Sequence, residues 1–135
     1  MNSTPQAPHV WPAFRARDAR ALINFLVEAF GFVENVAYEE DGVIGHAQID
    51  WPEGGGVMLG DDRPGDTAWK TEPGTSGAYV VTADPDAVHA RAKAAGTEIL
   101  EAPVERDYGS RDFIARDPEG NLWSFGTYAG APRPA

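Results

Sequence analysis

Two stretches of this chain share one order of elements, and that repetition restricts the fold more than any single motif. Each opens on a β-forming run, passes an aspartate suited to cap a helix, and continues at helical spacing to a glycine. Three more strand-like segments follow. In the first stretch residues 10–15 make the opening strand, which Pro12 confines to a sheet edge. Asp18 offers a carboxylate to the free N–H groups of a helix start. Leu22, Phe25, Leu26, Ala29 and Phe30 then recur with helical period, and Gly31 stops the helix. Strands are expected over 32–38, 44–51 and 57–60, separated by Asp41-Gly42 and by Pro52-Glu-Gly-Gly-Gly56. The second stretch has a strand over 78–82, the cap Asp84 and Pro85 at the first helical position. Its helix keeps Val88, Ala92 and Ala95 on one face until Gly96. Strands follow at 97–100, 112–116 and 122–127.

Between the two runs, residues 61–76 are polar and turn-rich, and act as a linker. Trp69 inside that linker demands a packing partner. Residues 1–8 and 129–135 are Pro-containing tails. The expected architecture is a single α+β domain over 9–128, with β-α-β-β-β modules at 9–60 and 77–128 and curled mixed sheets that form a cleft. A chain of 135 residues with 42% apolar content can bury one core of its own.

Composition removes several functions. The net charge of −10 repels phosphate and argues against nucleic-acid binding, while it is compatible with a cationic ligand or with solubility alone. No apolar run approaches the roughly 20 residues that span a bilayer. The start, Met1-Asn-Ser-Thr-Pro-Gln-Ala-Pro, has no basic segment leading into an apolar one, so no secretory signal is expected. Cysteine is absent, which excludes disulfides, thiolate nucleophiles and thiolate metal sites. A cytoplasmic protein is expected. Gly54-Gly-Gly56 leads into a strand rather than a helix, so it does not suit a phosphate-cradling loop.

Residues 108–126 are the most specific stretch. Phe113, Ile114 and Ala115 form one strand, and Leu122, Trp123, Ser124 and Phe125 form the return. Asp117-Pro-Glu-Gly-Asn121 supplies the turn: Pro118 presets φ, and Gly120 permits positive φ. This D-P-x-G-N hairpin, together with the paired modules, resembles the vicinal oxygen chelate superfamily, which contains glyoxalase I, extradiol dioxygenases and the bleomycin-resistance proteins. The resemblance implies a glyoxalase-like fold whose sheets curl around a cleft. It also implies a homodimer, in which each cleft is often built from two chains. Metal-dependent members hold one divalent ion with ligands from four strands. Aligned on Asp18, on Asp84 and on the hairpin turn, those positions here are Trp11, Met58, Gly77 and Ser124. Zinc takes His, Cys or carboxylate, and magnesium or manganese takes oxygen donors. These four residues supply no such set, so no metal and no cofactor are expected.

Alternation gives the residues that would line the cleft. His46 and Gln48 share one face of their strand with Asp50, while Ala47, Ile49 and Trp51 share the other. That face either meets solvent or forms the polar floor of the cleft. Trp11 and Arg15 in the first strand, Met58 in the fourth, Tyr79 in the fifth, and Leu122 and Ser124 in the last complete the set. Tyr108 and Arg111 precede the last hairpin, where Arg111 either reaches a ligand or pairs with Asp112 or Glu105. His9 and His89 are expected at the surface. An apolar, partly aromatic cleft with sparse polar points suits an organic ligand. The expectation is a metal-independent binding protein resembling the bleomycin-resistance proteins. The alternatives are a metal-independent lyase or isomerase using His46 as general base, and a natural-product sensing or self-resistance protein.

Overall fold

The computed structural model describes residues 7–65 and 68–134. The expectations for tail residues 1–6 and 135, and for linker residues 66 and 67, lie outside the described residues.

The first strand, β1 (Ala13–Ala16), starts directly after Pro12 rather than at residue 10. Pro12 has no N–H to give to a ladder, but its carbonyl still accepts the Met58 N–H at 2.9 Å. Asp18 caps α1 (Ala19–Phe25), its carboxylate accepting the Ala21 N–H. The helix then widens into a π-helical turn, Leu26–Phe30, before Gly31 ends it. The helical spacing of the apolar residues carried no sign of that change. Strands β2 (Val33–Glu40), β3 (Val43–Asp50) and β4 (Gly56–Asp61) complete the first module.

The second module repeats this with β5 (Gly77–Val81), α2 (Pro85–Ala94), β6 (Glu98–Glu105), β7 (Arg111–Arg116) and β8 (Leu122–Gly126). Asp84 caps α2 with Pro85 in its first turn. Strand β6 runs well beyond the expected 97–100. It carries Pro103 inside a register shift between Glu101 and Val104, where a bulge spares the missing donor.

The sheets are ordered β1-β4-β3-β2 and β5-β8-β7-β6. In each, the first and last strands of the module pair in parallel and the other neighbours pair antiparallel. Ala13, Met58, Gln48 and Val36 lie side by side across the first sheet. Tyr79, Ser124, Ile114 and Glu101 occupy the same row of the second. Three of these four pairs of equivalents keep the sequence offset of Asp18 and Asp84, and Val36 and Glu101 depart from it by one residue, beside register shifts in β2 and β6.

Both sheets turn one face onto the helices and onto a single shared core. Phe14 stacks on Trp123 at 5.3 Å between ring centroids, and Phe30 and Trp51 meet Phe125 at 4.7 and 5.5 Å. Burying each such ring contributes about 2–3 kcal/mol. Trp51 ties the modules together, because its Nε1–H donates to the Val81 carbonyl at 2.9 Å. Since the core uses the inner faces of both sheets, their outer faces point away from it. Arg15, His46, Gln48, Met58, Tyr79, Leu122 and Ser124 lie on those outer faces.

Candidate site on the outer sheet faces

The outer face of the first sheet gathers five of the expected residues. Met58 stands at its centre, beside Gln48 on β3. Trp11 lies just before β1, held by its Nε1–H donating to the Pro8 carbonyl at 3.1 Å. Its ring crosses β4 at Gly56, where a Cβ would stand only 3.0 Å from the ring. Trp11, Gln48, Asp50 and Met58 line a depression of about 420 Å³. Arg15, His46 and Met58 line a second, of about 170 Å³, together with Trp69 from the linker. The Trp69 side chain stays largely exposed rather than packed as expected, while the Arg15 guanidinium donates to the backbone carbonyls of Trp69 at 3.3 Å and of Asp61 at 3.4 Å. His46 is exposed and stacks on Tyr38 at 6.1 Å. Tyr38, His46, Glu40 and Arg63 line a broad depression of about 980 Å³ beyond it. Asp50 joins the site on the face that alternation gives it with His46 and Gln48, whereas Tyr38 joins it without a sign in the sequence. The face of β2 that Tyr38 occupies depends on its pairing with His46, which alternation within one strand does not reveal.

The outer face of the second sheet carries Tyr79, Leu122 and Ser124. Tyr79 lies flat over Gly126, where a Cβ would come within 2.6 Å of its hydroxyl oxygen, and its O–H donates to the Tyr128 carbonyl at 2.9 Å. Leu122 is exposed and Ser124 half-buried. Asp112 is buried here and holds Arg106 and the Tyr108 hydroxyl. Partial desolvation and that hydrogen bond raise the Tyr108 pKa above the ordinary tyrosine value.

Arg111 takes the pairing alternative rather than the ligand-reaching one: it shares parity with core residues Phe113 and Ala115 and points to α2. There its guanidinium makes a two-pronged pair with Asp86, at 2.8 and 2.9 Å, and also meets Glu105. This hydrogen bonding holds the Asp86 carboxyl below its ordinary value. His89 is half-buried rather than at the surface, its ring edge-on to Phe113 at 5.3 Å. His9 is exposed, as its position suggested.

Neither the 420 Å³ nor the 170 Å³ depression reaches Leu122 or Ser124. The expected residues therefore lie on the outer faces of two sheets, and Tyr79 shares a separate hollow of about 390 Å³ with Trp51, Gly54 and Gly55 of the first module. The four aligned metal positions divide likewise, with Trp11 and Met58 on one face and Gly77 and Ser124 on the other. An indole, a thioether, a glycine and one hydroxyl do not fit a hard divalent cation. Among the described residues, no group of three or more His, Cys, Asp or Glu is placed to hold a metal ion.

The duplicated β-α-β-β-β sheets, joined through one core, also appear in known proteins. A profile of the Glyoxalase/Bleomycin resistance protein/Dioxygenase superfamily matches residues 9–125. The chain belongs to this superfamily. Uncharacterized proteins Mb0911c of Mycobacterium bovis and Rv0887c of Mycobacterium tuberculosis are each 35% identical to it over 126 residues. The match covers 88% of this chain, and 82% and 74% of theirs. Among solved structures, TioX from Micromonospora sp. ML1 is 28% identical, with a TM-score of 0.72 over 89% of this chain and 98% of its own. A glyoxalase I mutant from Zea mays shares the fold, with a TM-score of 0.68 at 18% identity over 89% of this chain and 45% of its own. No helix among the described residues of this superfamily member is long and apolar enough to cross a membrane.

Proposed function

We propose that this superfamily member is a metal-independent binding protein that holds a small organic molecule against the outer face of its first sheet. One observation carries the reading. Trp11, Met58 and Gln48 line one depression, and the alignment on Asp18 and on the fourth strand gives Trp11 and Met58 the positions where the family resemblance implies metal ligands. Such a surface binds by stacking and burial, with Gln48, Arg15 and His46 fixing orientation. The rival reading, with His46 as a general base, needs a group that orients the imidazole. Among the described residues no hydrogen bond to that ring is present, and its neighbour is the flat face of Tyr38.

The protein acts as a homodimer in this proposal. A second copy would lay its Tyr79, Leu122 and Ser124 over the first copy's Trp11 and Met58 and complete each cleft. Exposed apolar side chains on the second sheet favour such cover, because Tyr79 and Leu122 are each 44% exposed.

The test begins with elemental analysis of dialysed, tag-free protein, which should contain no stoichiometric transition metal. Mass spectrometry of what co-purifies then supplies a ligand. Trp11→Ala should weaken its binding about tenfold, from lost burial and stacking. One equivalent of retained zinc, nickel, iron or manganese, or quantitative conversion of the ligand, would overturn the proposal.

A further inference from the structure

We propose that Trp69, carried by the linker, is a ligand-contacting wall of this site, and that the site takes a flat aromatic molecule bearing positive charge. The inference rests on the binding reading above and adds to it a residue and a ligand class.

The three depressions on the outer face of the first sheet are one trough. His46 lines both the 980 Å³ and the 170 Å³ hollow, and Met58 lines both the 170 Å³ and the 420 Å³ hollow. Trp69 stands over the middle of this trough, on a linker segment that is otherwise polar. Its side chain remains 59% exposed, which leaves most of a large apolar surface in water. Its backbone carbonyl accepts from Arg15 of β1, which holds this part of the linker beside the trough. Aromatic surfaces recur along the trough: Trp11 at one end, Trp69 at the middle, and Tyr38 against His46 at the other. Flat rings spaced along a trough select flat rings in a ligand.

Charge selects further. Asp50 lies at the Trp11 end, and its two carboxylate oxygens accept from the side-chain amides of Asn35 and Gln48. Both donors are neutral, so they orient the carboxylate without cancelling its charge. Glu40, Asp41 and Arg63 line the far end. Arg15, the cation nearest Trp69, directs its guanidinium to two backbone carbonyls. A ligand cation is therefore best placed beside Asp50 and the face of Trp11, where cation–π attraction adds to the ionic one. The chain's net charge of −10 steers such a molecule inward.

The experiment titrates the full-length protein with proflavine, a flat cation, and with anilinonaphthalene sulfonate, a flat anion, at low salt, following dye fluorescence. Circular dichroism checks the fold of each variant. Proflavine should bind more tightly than the anion. Trp69→Ala should weaken proflavine about fivefold, Trp69→Phe should restore most of that loss, and Asp50→Asn should weaken proflavine and spare the anion. If Trp69→Ala binds like the parent while Trp11→Ala loses affinity, the role of Trp69 is overturned and the binding reading stands. If neither variant changes the affinity, the dye binds elsewhere, and both fall. Failure of the parent to bind proflavine, or tighter binding of the anion, overturns the ligand class.

Discussion

At the scale of single residues, the last hairpin is organised by Asp117 rather than by its proline and glycine. Its Oδ1 accepts from the backbone N–H groups of Glu119, Gly120 and Asn121 at 2.8, 2.9 and 3.0 Å. Its Oδ2 accepts from Asn121 Nδ2 and from Trp123 Nε1, both at 2.9 Å. The indole of Trp123 is fully buried in the shared core, so the carboxylate links turn chemistry directly to packing. Asp117→Ala would leave two buried side-chain donors and the turn amides without an acceptor. Each unsatisfied buried donor costs about 1–3 kcal/mol, so a loss of about 3 kcal/mol or more is expected. Urea unfolding followed by tryptophan fluorescence measures it, and a loss below about 1 kcal/mol would contradict this account of the turn.

At the scale of elements, the modules hold each other by their helix starts. Glu119, in the turn between β7 and β8, accepts the N–H groups of Arg17 and Asp18 at 2.9 Å each, just ahead of α1. Glu53, in the turn between β3 and β4, accepts the Ala83 N–H at 2.8 Å, just ahead of α2. Each hairpin turn thus satisfies orphan donors at the helix start of the other module. Glu119 is the deeper of the two, with its side chain 8% exposed and Arg17 paired to it. Glu119→Ala should therefore cost about 1–2 kcal/mol and Glu53→Ala about half that, with equal losses in chemical denaturation counting against the argument. This exchange between modules was not legible in the sequence, because it depends on how two separately readable units dock. The units themselves were legible: capping aspartates, stop glycines and alternating strands fixed their order. Alternation also placed His46, Gln48, Met58 and Ser124 on outer faces. It would have placed Arg111 with Phe113 too, had parity been followed instead of proximity to the hairpin. The long β6 was hidden because Pro103 looks like a strand end until a bulge accommodates it.

At the scale of the whole molecule, one core serves two sheets, and the proposed site residues divide between the outer faces of both. The proposed dimer unites them only if the first sheet of one copy meets the second sheet of the other. That geometry has a consequence that ordinary affinity measurements do not reach. A variant damaged on the first face, Trp11→Ala with Met58→Ala, and a variant damaged on the second, Tyr79→Ala with Leu122→Ala, should each bind ligand weakly as homodimers. Co-expressed, they form a mixed dimer in which both lesions fall in one cleft and the other cleft is intact. With random pairing, about one quarter of all clefts should regain parental affinity. Titration of the co-expressed pair with proflavine, or with the co-purified molecule once known, should show that high-affinity fraction, whereas mixing the two purified variants under conditions that prevent subunit exchange should not. Parental affinity in the Tyr79→Ala with Leu122→Ala variant on its own, or a single scattering species near the 14.5 kDa chain mass, would mean that each chain binds alone on its first sheet. The second face, with Tyr79 laid across Gly126 and Asp112 held by Arg106, would then need another explanation.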